Sequence, residues 1–185
     1  MITDAGFFRK QLAEELYEAI CGIDQSEIDE LIQLIVKGRR IFVTGAGQSL
    51  LMMKVLGMML VQNGFTAYVV GDAATPSLQE GDVLIAASSS GTTKSTRLFV
   101  EKAKALHGKI GLFTATESSP MADIADAIVM IRHASDGGNG RESVSYEGDG
   151  FIQTLLPLVH CIARLAGERI GSSEEVTIRN HANIE

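Results

Sequence analysis

An α/β fold, a five-stranded parallel sheet sandwiched between helices and preceded by two further helices, is what this sequence predicts, and three observations predict it. Five short runs rich in Val, Ile, Phe or Tyr recur along the chain: Ile41-Phe42-Val43, Ala67-Tyr68-Val69-Val70, 83–87, 110–113 and 127–131. Stretches of helical length, or a shorter one near 120–125, separate most of them. The runs are apolar nearly throughout rather than alternating with polar residues, which is the pattern of parallel strands covered on both faces.

The elements follow in order. Leu12, Leu16 and Ile20 form one stripe of a first helix, and Ile28, Leu31, Ile32 and Ile35 form the stripe of a second. Asp24 with Glu27 three residues on reads as a capping box that starts the second helix, and Gly38 reads as its stop. The first strand runs into Thr44-Gly45-Ala46-Gly47-Gln48-Ser49, then a helix over 50–62 with a stop at Asn63-Gly64. The 71–82 link is polar and broken by Pro76, so no helix is expected there. A helix over 96–107 follows the third strand. Gly137-Gly138-Asn139-Gly140 marks a loop before an apolar helix over 151–166, and a tail over 172–185 closes the chain. A chain of 185 residues suits a single core, so the expected organisation is one domain over 1–185: helices at 1–38, the sheet core at 39–132, the last helix at 150–167.

Composition narrows the partners. The charge of −7 comes from 16 basic and 23 acidic residues without a block of either sign, which argues against nucleic acid or an anionic membrane. Cys21 and Cys161 lack metal-ligand or disulfide-framework spacing, so no metal site is expected and a reducing cytoplasm fits. No basic-then-apolar leader follows Met1, and no apolar run reaches about 18 residues, so neither secretion nor membrane spanning is expected. The expected partner is a small molecule.

The chemistry is concentrated in Ser88-Ser89-Ser90-Gly91-Thr92-Thr93-Lys94-Ser95, six hydroxyls within eight residues between an apolar strand and a helix. Unpaired N–H groups and the positive dipole end at a helix N-terminus favour an anion such as phosphate, and hydroxyls add donors without blocking its approach. Capping alone needs one hydroxyl. Gly45 and Gly47 at the first strand-to-helix turn permit positive φ and close backbone approach to the same ligand. In a doubly wound sheet such loops converge on one crevice at the carboxyl ends of the strands. A nicotinamide-dinucleotide reading would use Asp72 for a ribose, but it meets Leu50 where a small residue is wanted and leaves the hydroxyl run unexplained.

Gly45-Ala-Gly-Gln-Ser49 together with 88–95 resembles the sugar isomerase (SIS) domain, a three-layer α-β-α, flavodoxin-like fold that binds phosphosugars. The similarity is nearest to the 6-phospho-3-hexuloisomerases: Gly64-Phe65 leading to Tyr68-Val69-Val70-Gly71, then Thr75-Pro76, Gly81-Asp82 and the terminal His181-Ala182-Asn183-Ile184-Glu185 match in order and spacing. The resemblance implies a cofactor-free isomerase interconverting a 3-hexulose 6-phosphate and fructose 6-phosphate, as a homotetramer. The loop chemistry and the resemblance together make Gly47, Ser49, Ser88, Ser90, Thr93 and Ser95 the expected substrate or phosphate ligands. The chain departs from the family where Gln48 and Leu50 stand for Arg and Gly, where Thr92 stands for a frequent Glu, and where Ile152 stands for a glutamate implicated in catalysis.

Such a reaction needs a group that accepts and returns a proton near neutral pH, and four histidines are available. His107 ends a predicted helix, His160 sits in an apolar helical run, and His133 follows the fifth strand. His181 is the preferred catalytic residue because it matches the family's terminal segment, which in an oligomer can complete a neighbour's site. Glu147, just ahead of the last helix, is the candidate carboxylate, with Asp149 beside it. A non-catalytic phosphosugar sensor, and an isomerase of another sugar phosphate, are the alternatives that Ile152 and Gln48 respectively motivate.

Overall fold

The computed structural model describes residues 4–132, 143–146 and 149–184. Two helices, α1 (Ala5–Cys21) and α2 (Gln25–Lys37), lead into β1 (Ile41–Gly45), α3 (Gln48–Gln62), β2 (Ala67–Val69), β3 (Val83–Ala87), α4 (Lys94–Ala105), β4 (Lys109–Thr114), β5 (Ala127–Met130), α5 (Asp149–Arg169) and α6 (Glu174–Arg179). All strand pairs are parallel, in the order β2-β1-β3-β4-β5. The sheet has the predicted strands within a residue or two. The 71–82 link is non-helical, as its proline and polarity required, and a single 3-10 turn at Ala122–Ile124 stands between β4 and β5.

The side chains of each strand divide between two cores. Ile41, Val43, Ile85, Phe113 and Val129 face a large core built with α2, α3 and α5, while Phe42, Leu84, Ala86, Ile110 and Leu112 face a smaller one with α4 and the 3-10 turn. Alternation between two buried faces is why the strands read as continuous apolar runs. α5 packs against α1, α2 and α3, and Leu155, Leu158, Val159 and Ile162 are buried. It is long and apolar enough by length and composition to cross a membrane, but more than half of it is buried inside the molecule, as in a core helix. α1 is loosely packed, with Ala19 its only buried residue and Phe7 and Tyr17 exposed, and α6 buries none.

Several punctuation residues act differently from the sequence expectation. Asp24 does cap α2, its carboxylate accepting the Ser26 N–H at 2.7 Å, but Glu27 turns away and accepts the Met130 N–H at 2.7 Å, tying α2 to β5. Gly38 ends α2 at φ −68°, so no left-handed turn requires it; a Cβ there would stand 2.7 Å from the Val83 side chain. α4 ends with His107 in the left-handed conformation (φ 61°) and with Gly108 N–H donating to the Ala103 carbonyl at 2.9 Å. A Cβ at 108 would stand 2.8 Å from the Leu78 side chain and 3.1 Å from the Ala103 carbonyl oxygen.

Ionic clamps sit at the amino ends of the strands. Asp82, fully buried ahead of β3, receives Arg40 at 2.6 Å and Arg39 at 3.1 Å, from the two residues that precede β1. Burial alone would raise the Asp82 carboxyl, but hydrogen bonds from Arg40, the Gln79 N–H and Arg39 together hold it below the ordinary carboxylate range. Asp126 is held low in the same way by Lys104, Lys109 and the Ile110 N–H, against the opposing effect of burial. With the amino ends locked, the carboxyl ends of the strands are left for chemistry.

Candidate functional site

β1 and β3 are neighbours, yet α3 leads from β1 to β2 and α4 leads from β3 to β4, in opposite directions along the sheet. The switch point lies between them, and Gly45 is in register with Ala87, so loops 46–47 and 88–93 leave the sheet side by side, about 4.8 Å apart at their roots. Both helices begin two residues earlier than the periodicity predicts. Ser49 and Ser95 therefore occupy equivalent places, the second residue of the first turn of α3 and of α4.

Neither helix is capped by a side chain. Gly47 is the N-cap of α3 at φ 56°, ψ −128°, and a Cβ there would meet nothing within 4 Å, so the approach to the α3 N–H groups is open. Thr93 is the N-cap of α4 but makes no capping bond; its hydroxyl shares a hydrogen bond with Ser88 at 3.1 Å instead. Two adjacent helix N-termini thus keep first-turn N–H groups and positive dipole ends unsatisfied in one crevice, the arrangement that binds an anion.

Of the predicted ligands, Ser90 is exposed and its hydroxyl shares a hydrogen bond with Thr92 at 2.9 Å, Ser49 and Thr93 are half-buried, and Ser95 and Gly47 are exposed. Ser88 is 3% exposed, so its hydroxyl is turned inward to Thr93 rather than outward. Gly91 holds the loop's sharpest bend at φ 61°; a Cβ would fall 2.0 Å from the Ser119 hydroxyl. Sequence reasoning missed the residues behind the loop, Thr114, Thr116 and Ser119. Their hydroxyls stand within six residues at and just after the end of β4, a cluster visible in the sequence.

His181 is not brought to this crevice in its own subunit. The Asn180 side-chain amide donates to the Val61 and Gln62 carbonyls at 3.5 and 3.3 Å, which pins the tail at the far end of α3, about 18 Å along the helix from Ser49. There His181 lines a cavity of about 550 Å³ with Lys54, Met58, Val61, Tyr68 and Asp72. Asp72 is paired with Lys54 at 3.7 Å and lines the same cavity, which is no place for a ribose bound in the crevice. His107 and His160 are exposed; α5 runs through the core, but residue 160 faces outward from it. Ile152 packs against the large core. His133 and Glu147 lie outside the described residues.

A family model for the SIS domain matches residues 34–140, more than half of the chain. The chain belongs to the SIS domain family. SIS relatives of nearly equal length are similar along almost all of it. A Bacillus subtilis (strain 168) protein named 3-hexulose-6-phosphate isomerase is 36% identical over 177 residues, 95% of this chain and 96% of the relative. A Mycobacterium gastri protein of the same name is 34% identical over 173 residues, 93% of this chain and 87% of the relative. The crystal structure of a Methanococcus jannaschii protein, for which a 3-hexulose-6-phosphate isomerase function was inferred, superposes with a TM-score of 0.82 at 24% identity, covering 96% of this chain and 98% of that one, a likeness of fold. The SIS resemblance read from 45–49 and 88–95 is borne out by these matches, and the α/β sandwich with it.

Proposed function

We propose that this protein is a phosphosugar isomerase that interconverts 3-hexulose 6-phosphate and fructose 6-phosphate, and the observation that carries the proposal is the 36% identity, over nearly the full length of both chains, to the Bacillus subtilis 3-hexulose-6-phosphate isomerase. The site supports it. Two uncapped helix N-termini with Ser49, Ser90, Thr93 and Ser95 around them suit the phosphate, with Ser88 holding Thr93 from behind. With the phosphate fixed there, the sugar extends along the crevice and its carbonyl carbons are placed by reach alone.

The reaction moves a carbonyl from C3 to C2. A base removes the proton from C2, the electron pair forms the C2=C3 enediol while the C3 oxygen takes a proton, and the reverse events return a proton to C3 and leave the carbonyl at C2. Nothing is oxidised overall and no external reductant enters. In this reading His181 of a neighbouring subunit is the proton-transferring group and Glu147 the accompanying carboxylate, in a cytoplasmic homotetramer. The tail supports an intersubunit role because its own crevice is a helix length away. Exposed Met58 and Val61 on α3, beside the tail, supply an apolar contact surface, and Leu51 is exposed nearer the other end of the helix.

A second reading, a phosphosugar-binding module without turnover, is favoured by Ile152, an apolar side chain packed on the core at the position where the resembled family carries a glutamate. Proton NMR in deuterated water separates the two. Incubation with fructose 6-phosphate is expected to incorporate solvent deuterium at carbon; binding without exchange would replace the isomerase with the sensor, and exchange only on another sugar phosphate would reassign the substrate.

A further inference from the structure

Three hydrogen-bond donors converge on one carbonyl oxygen beside the anion crevice. The Ser89 carbonyl accepts the Ala115 N–H at 2.9 Å, the Thr114 hydroxyl at 3.1 Å and the Thr116 hydroxyl at 3.2 Å. The Thr114 hydroxyl donates here, since a carbonyl oxygen only accepts, and its own oxygen accepts the Thr116 N–H at 3.2 Å. A carbonyl oxygen has two lone pairs, and the backbone bond alone would satisfy it. Two further hydroxyls, one of them on the fully buried Thr114, are more than that oxygen needs.

The oxygen of Ser89 and the N–H of Ser90 belong to one planar trans peptide unit, so they point in opposite directions. The oxygen is drawn toward the end of β4. β1 lies on the other side of β3, so the Ser90 N–H points away from β4, to the side of the loop on which β1 and the start of α3 lie. That N–H has no hydrogen-bond partner among the described residues. Donors gathered on the carbonyl also polarise the peptide and strengthen its N–H as a donor.

We infer that Thr114 and Thr116 are positioning residues of the anion site: their hydroxyls lock the 89–90 peptide so that the Ser90 N–H donates to the phosphate of the bound ligand. The inference rests on the phosphosugar reading above and deepens it by naming a backbone donor and what fixes it. Gly91 follows directly, and Ser119 fills the space its missing Cβ leaves, so the next peptide is buttressed from the same side.

The test is titration of ¹⁵N-labelled full-length protein with inorganic phosphate and with fructose 6-phosphate, following the Ser90 amide, in the wild type, Thr114→Val/Thr116→Val and Thr114→Ser/Thr116→Ser. The wild-type Ser90 amide proton is expected to move downfield on binding. The Val pair is expected to bind tenfold or more weakly with a smaller Ser90 shift and a raised KM at nearly unchanged kcat, and the Ser pair, which keeps both hydroxyls, to recover most of the loss. Wild-type affinity and an undiminished Ser90 shift in the Val pair would overturn the inference, as would a Ser pair no better than the Val pair. If the Val pair does not fold, the half-buried Thr116→Val alone takes its place with the same two criteria. A wild type that binds phosphate without moving Ser90 overturns the inference while leaving the isomerase reading standing; one that binds neither ligand overturns the anion site as well.

Discussion

Ser90 and Gly91 carry opposite kinds of requirement in the same loop. Ser90 is exposed and replaceable as far as folding goes, whereas Gly91 has a positive φ and no space for a Cβ. Ser90→Ala is therefore expected to leave the fold intact while removing a charge-assisted hydrogen bond of roughly 1.5–3 kcal/mol, about ten- to a hundredfold in sugar-phosphate affinity by calorimetry. Unchanged affinity in both Ser49→Ala and Ser90→Ala proteins would remove these hydroxyls from the site. Gly91→Ala is expected to destabilise by about 2–4 kcal/mol in denaturant unfolding, from the left-handed backbone and the collision with Ser119. Ser119→Gly in the same chain should return the collision's share and leave the backbone's, which separates the two causes.

The elements were legible where periodicity alone decides them. The strands could be read because β1, β3, β4 and β5 are apolar on two covered faces and half-buried β2, at the sheet edge, keeps the same apolar run, and α2 because its four apolar residues share one stripe. α3 and α4 start two residues ahead of their apolar periodicity because Gln48, Ser49, Lys94 and Ser95 belong to the first turn by backbone geometry, not by hydropathy. Short α6 was not read at all, since six residues give no periodicity. The anion loop could be seen in its hydroxyl run, but the bonds from Thr114 and Thr116 join residues 25 and 27 positions apart, and only the parallel pairing of β3 with β4 brings them together. The same is true of Asp82 with Arg40, 42 positions apart. That clamp sets a pH dependence. The folded carboxyls of Asp82 and Asp126 titrate below their unfolded value of about 3.9, so their stabilisation is complete above that value and is lost as pH falls through the depressed folded values. Thermal unfolding is expected to show Tm level from neutral pH to about 5 and then falling toward pH 3, with Asp82→Asn already roughly 1.5–3 kcal/mol less stable at neutral pH. A wild-type Tm that does not fall in that acid range would contradict the clamp.

At the scale of the whole molecule the exposed apolar surface and the tail point the same way. α1, α2 and α3 cover most of α5, which leaves Leu156 as its only large exposed hydrophobic, so little of that apolar helix remains for contact between subunits. Met58 and Val61 on α3 remain open beside a tail whose His181 lies far from its own crevice. If the tail completes a neighbour's site, His181 and the serines that act with it come from different chains, and two defective proteins can repair each other. His181→Asn is expected to lower turnover by about 10²–10⁴ with phosphate binding nearly intact, and Ser49→Ala/Ser90→Ala to fail in binding instead. Co-expressed, the two should assemble at random into oligomers in which roughly a quarter of the sites join a wild-type crevice to a wild-type tail. The measurement is isomerase activity of the co-expressed protein at low substrate, against each parent alone and against the parents purified separately and mixed without subunit exchange. Activity near a quarter of wild type, only in the co-expressed sample, is the expected result. Activity no greater than the sum of the parents, from protein that sedimentation shows to be a mixed oligomer, would return His181 to a structural role within its own chain and move the search for the base to His133.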